Sequence, residues 1–146
     1  LVGTSGYLSF SNSQNIVDTF TPEAELRSTR QAAEERTAER RQLLLLFRRA
    51  SSTITSSYTS QIEAEIARAA NKIGAEQQRI TSYRNRGLRN GTRYTTRIER
   101  AEQNIKDIEA ESGAMVANLT AERSQALQEL ALQQRESLQL IDRRFQ

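Results

Sequence analysis

Two long stretches of helical three-and-four spacing, separated by one basic break, leave this chain few folds. Before the break, apolar or small residues fall at Ile62, Ile66, Ala69, Ile73, Ile80 and Tyr83, with Glu76 filling one turn. After it they fall at Tyr94, Ile98, Ala101, Ile105, Ile108, Met115, Leu119 and Ala126, with Ser112 and Glu122 in polar slots. Such a period, sustained over several heptads, marks a seam between packed helices. The break itself reads Tyr83-Arg-Asn-Arg-Gly-Leu-Arg-Asn-Gly-Thr-Arg-Tyr94.

Two architectures fit the break. In the first, Gly87 and Asn90-Gly91 end one helix and Thr92 caps the next, so the seams face each other. Tyr83 then meets Tyr94, Ile80 meets Ile98, Ala69 meets Ile108 and Ile62 meets Met115, and Arg79 lies near Glu99. In the second, the helix runs straight through, since the 18 residues from Ile80 to Ile98 equal a heptad plus an eleven-residue repeat. Two glycines and an Asn-Gly favour the first. The expected fold is all-α, a long antiparallel helical hairpin or coiled coil, with helix 1 over 22–83, a basic turn over 84–92 and helix 2 over 93–146.

Residues 1–21 are expected to form a separate N-terminal arm, extended or a weak β-hairpin. Tyr7-Leu8-Ser9-Phe10 and Ile16-Val17-Asp18-Thr19-Phe20 are strand-like and are separated by a polar, turn-rich segment. Thr21-Pro22-Glu23 then opens helix 1 with a capping hydroxyl, a proline suited to the first turn and an acid at the positive end of the dipole. Glu34 can reach Arg30, and Glu39 can reach Arg36. The Ser/Thr-rich segment 51–60 weakens the helix and marks a possible hinge. Ser112-Gly113 is the soft point of helix 2.

Leu43-Leu44-Leu45-Leu46-Phe47 is the most apolar turn of the chain, and four consecutive leucines cover the whole circumference of a helix. Late in helix 2 the apolar stripe broadens to take in Leu127, Leu130, Ala131, Leu132, Leu138, Leu140, Ile141 and Phe145. The hairpin register sets Leu130 and Leu132 opposite Phe47 and Leu46. Stripes this wide imply helices from further chains. The expected oligomer core is Leu43, Leu44, Leu46, Phe47, Leu127, Leu130, Leu138, Ile141 and Phe145. A membrane-surface anchor flanked by arginines is the competing reading of the same turn.

Chemistry narrows the function. Neither Cys nor His is present, which removes thiol catalysis, zinc–thiolate sites and the commonest general base. The carboxylate pairs Glu63/Glu65 and Glu109/Glu111 sit two residues apart on different helix faces. No phosphate loop and no Glu-x-x-His pattern occur. No catalytic residue, cofactor, metal or small-molecule substrate is expected.

The net charge of +3 is small, but no acid lies between Glu76 and Glu99, whereas Arg79, Arg84, Arg86, Arg89, Arg93 and Arg97 all do. Arg84, Arg86, Arg89 and Arg93 therefore form an expected basic tip for an anionic partner, either nucleic acid or an anionic membrane surface. The general pattern resembles helical hairpins of membrane-remodelling proteins and the coiled-coil rods of phage tails and secretion filaments. The leading expectation is a non-enzymatic structural subunit of a larger homo-oligomeric filament, tail or virion-like particle.

Overall fold

The computed structural model describes residues 22–146, and the expected N-terminal arm lies outside them. The described chain is two helices, α1 (Pro22–Asn90, 69 residues) and α2 (Thr95–Arg144, 50 residues). They pack as an all-α hairpin, so the straight-through reading is set aside.

The Ser/Thr-rich segment does not interrupt α1, and one of its hydroxyls turns back into the helix. Thr53 Oγ1 donates to the Arg49 carbonyl at 3.0 Å, and Thr37, Thr81 and Thr120 each do the same four residues back. A hydroxyl bonded this way no longer competes for free backbone groups. Ser112-Gly113 likewise stays helical, with Ser112 buried.

The chain divides into two compact units. The first joins residues 22–54 to residues 125–146. Leu43, Phe47, Leu130 and Ile141 are buried together there, with Ala50, Ile54, Leu138 and Phe145 packed around them. Leu43 is fully enclosed, and burying such a side chain is worth about 1.5–3 kcal/mol. Ion pairs flank the cluster. Arg36 and Arg40 both reach Asp142 Oδ1 at 2.8 Å, and Arg144 pairs with Glu39. Glu39 thus binds across the hairpin, not to Arg36 as its spacing suggested. The Arg36 guanidinium, and after it the Arg40 guanidinium, hold the Asp142 carboxyl below the usual carboxylate range against the opposing effect of burial.

The second unit, Thr55–Ser124, has a core of smaller side chains. Ala69, Ile80 and Ala101 are buried in it, together with Glu65 and Ser112. Two expected seam positions are displaced by one residue. Ile66 is 53% exposed while Glu65 is buried, and Met115 is exposed while Val116 turns inward. A helix of 3.6 residues per turn drifts about 20° per heptad against a 3.5-residue seam, so neighbouring positions exchange roles along its length. Glu65 tolerates its place because Arg68 grips it with two bonds, one of them Nε to Oε2 at 2.7 Å. That contact lowers the Glu65 carboxyl against the opposing effect of burial, and raises the Arg68 guanidinium.

Candidate functional site

The turn is the region with the most specific local construction. α1 runs to Asn90, seven residues past the expected boundary at 83, so Arg84, Arg86 and Arg89 stand on its last turns and not on a loop. It ends at Gly91, whose φ is +70° and whose N–H donates to the Gly87 carbonyl at 2.9 Å. That single bond closes the helix in the left-handed terminating motif that favours glycine. Gly87 serves a different purpose. A Cβ there would lie 2.7 Å from the Thr92 carbonyl oxygen, so only glycine lets the returning chain pass this close.

Thr92 does not cap α2. Its N–H donates to Asn90 Oδ1 at 3.0 Å, bridging the turn, and the first helical bond of α2 runs from Ile98 N–H to the Tyr94 carbonyl. Tyr83 and Tyr94 meet as expected, stacked with ring centroids 5.5 Å apart. Asn90 Nδ2 donates to the Tyr94 hydroxyl at 3.0 Å. The Arg97 guanidinium lies over both rings at 5.7 and 5.8 Å, and Arg86 lies over Tyr83 at 5.8 Å. Cation–π contacts of this kind add about 0.5–1 kcal/mol each at exposed sites.

The arginines of the tip therefore divide by role. Arg86 and Arg97 are engaged with the tyrosines, Arg84 reaches Glu102 only at 3.9 Å, and Arg79 pairs with Glu76, not with Glu99. Arg89 and Arg93 have no ion-pair partner among the described residues. Leu88, next to Arg89 in the chain, is 85% exposed, a feature that helical periodicity alone did not single out. The tyrosines are occupied with each other and with Arg97.

In the first unit the structure separates the leucines into two sets. Leu43, Phe47, Leu130, Leu138, Ile141 and Phe145 pack within the hairpin, and Leu46 and Leu127 are half-buried at its margin. Leu44, Leu45, Leu132 and Leu140 remain exposed. The placing of Leu132 opposite Leu46 therefore does not hold, although that of Leu130 with Phe47 does. At about 100° per residue, Leu45 lies on the far side of α1 from Leu43 and Phe47. Leu132 similarly lies on the far side of α2 from Leu130 and Ile141.

Among the described residues no three potential metal-ligating side chains lie together, and no helix is long and apolar enough to cross a membrane. Glu63 is exposed while Glu65 is buried, so that carboxylate pair is split between faces. Comparison with protein-family models, with curated proteins and with solved structures finds no match.

Proposed function

We propose that this chain is a non-enzymatic structural subunit whose hairpins pack side by side into a larger homo-oligomer, such as a filament, tail or particle wall. The observation that carries this reading is the set of leucines left outside after the hairpin has closed. Leu44, Leu45, Leu132 and Leu140 point in different directions around the same unit. A flat membrane surface covers one side of a helical pair, whereas neighbours on several sides cover all four. Scattered apolar residues on a monomer are ordinary, so the weight rests on their gathering in one unit of a chain otherwise rich in charge, with Leu44, Leu45 and Leu132 at one level.

Sedimentation equilibrium tests the reading. The full chain is expected to run at a multiple of 16.6 kDa. Replacing all four of these leucines with Glu is expected to return it to the monomer with its helical circular dichroism unchanged. A wild-type monomer at the highest attainable concentration contradicts the proposal.

A second reading attaches to the tip. Arg84, Arg89 and Arg93 around an exposed Leu88, with no acid between Glu76 and Glu99, support contact with an anionic partner, nucleic acid or anionic lipid. Replacing these three arginines with Gln is expected to abolish salt-sensitive retention on DNA or on phosphatidylserine vesicles. Vesicle binding that also needs Leu88 assigns the lipid. Unchanged retention removes the tip from consideration.

A further inference from the structure

The hairpin has a fixed internal register. In the unit built from residues 22–54 and 125–146, Phe47 shares a buried cluster with Leu130 and Arg36 pairs with Asp142, so residues of α1 and α2 whose numbers sum to about 177 lie level there. The outward faces of the two helices obey the same sum in the unit built from residues 22–54 and 125–146. There Glu34 is level with Arg143, Arg41 with Glu136, Leu45 with Leu132, and Arg48 with Glu129. Every charged pair is of opposite sign, and the one apolar pair lies between two of them. All eight side chains are exposed. Within the hairpin these partners cannot meet, because each lies on the side of its helix away from the other helix. None of the six charged groups has an ion-pair partner among the described residues, although Glu129 accepts a hydrogen bond from Gln125.

We infer that the outer face of α1 in one copy docks on the outer face of α2 in the next, the two copies lying parallel and in the same register. A sideways shift with no slip along the helices brings Leu45 onto Leu132 of the neighbour. The same shift sets Arg41 on Glu136, Arg48 on Glu129 and Glu34 on Arg143. The two α-helices meeting there are antiparallel, as within the hairpin, and the matched numbers step by 3, 4 and 7 along both, the spacing of one helical stripe. The interface joins two different surfaces, so each copy keeps one face open, and repetition gives a ring or an open row. The inference rests on the proposed assembly role and specifies the contact that produces it.

Charge reversal on the full chain tests both the faces and their register. Arg41→Glu with Arg48→Glu disables the α1 face, and Glu129→Arg with Glu136→Arg disables the α2 face. Like charges set opposite one another across an interface oppose association strongly, so each double variant alone is expected to associate more than about tenfold more weakly than wild type. An equimolar mixture of the two, and the single chain carrying all four changes, are expected to reassemble. The register is read independently by Leu45→Cys with Leu132→Cys in this cysteine-free chain. Oxidation is expected to give a ladder of covalent multimers, whereas either cysteine alone gives none.

Double variants that associate like wild type overturn the inference. So does a wild-type oligomer whose double variants dissociate but are restored neither by mixing nor by the fourfold change; this leaves the assembly role standing with a different contact. A wild-type monomer removes both.

Discussion

The two compact units solve the same packing problem with different materials. Residues 22–54 and 125–146 enclose large side chains, Leu43, Phe47, Leu130 and Ile141, and gain cohesion from burial. Thr55–Ser124 encloses Ile80, two alanines, a serine and the Arg68-bound carboxylate of Glu65, and its turn is finished by stacked tyrosines and two glycines of different function. Large apolar side chains supply energy, while small and polar ones supply close approach and register. A two-helix hairpin has too little interior to maximise both in one place, and here the two are assigned to different stretches of the same pair of helices.

Truncation should break the comparison most sharply. Leu43→Ala or Phe47→Ala is expected to cost about 2–5 kcal/mol in denaturant unfolding, with amide-exchange protection lost first in residues 22–54. Ile73→Ala, half-buried in the small-residue unit, should cost clearly less. Equal losses at both places erase the distinction.

Enlargement is expected to invert the order. Ala101→Leu, at a buried position, should cost about 1–3 kcal/mol by overpacking. Ala50→Leu, at the half-buried edge of the large-residue cluster, should be better tolerated.

The glycines sharpen the point on a smaller scale. Gly87→Ala forces a backbone shift against Thr92 and is expected to destabilise by about 1 kcal/mol. Gly113→Ala has nothing within 4 Å of the added methyl and is expected to stabilise by about 0.5–1 kcal/mol through helix propensity. Thermal melts of the two variants should move in opposite directions.

The smallest effect is electrostatic. The folded Asp142 carboxyl is held below its unfolded value by Arg36 and Arg40, so its contribution is present above about pH 4 and is lost as pH falls through the lowered value. Glu65 has the same sign, from Arg68. Asp142→Asn is expected to lower stability slightly at neutral pH and to leave it unchanged in acid below the lowered value, so that the acid limb of the stability curve flattens. An equal loss of stability at all pH values removes the ion pair from the account.

The hairpin was legible because glycine and Asn-Gly are strong punctuation and because heptads on both sides point at the same centre. The pairing of Tyr83 with Tyr94 follows directly. The core at Leu43, Phe47, Leu130 and Ile141 was legible as apolar, but four consecutive leucines cannot say which of them faces inward. Periodicity chose Ile66 over Glu65 on hydrophobicity alone. What lets Glu65 sit inside is the bond from Arg68, a pair separated by one helical turn and indistinguishable in sequence from any solvated ion pair. Met115 and Val116 are both apolar, and only the drift between 3.5 and 3.6 residues per turn separates them. Gly87 read as a helix end because glycine often is one, although here it clears space within the last turns of a helix that continues to Asn90. The basic tip was visible as an absence of acid, whereas the engagement of Arg86 and Arg97 by aromatic rings depended on the fold.

The central claim is that each chain closes its own hairpin and offers outer faces to its neighbours. The most direct test is the distance between spin labels at Ala70→Cys and Lys106→Cys, both exposed positions, in labelled chains diluted with unlabelled ones. The expected separation is roughly 10–25 Å, set by interhelical packing and label length. A separation of about 55 Å, the straight-helix value at ~1.5 Å per residue, would contradict the closed hairpin and the lateral register built on it.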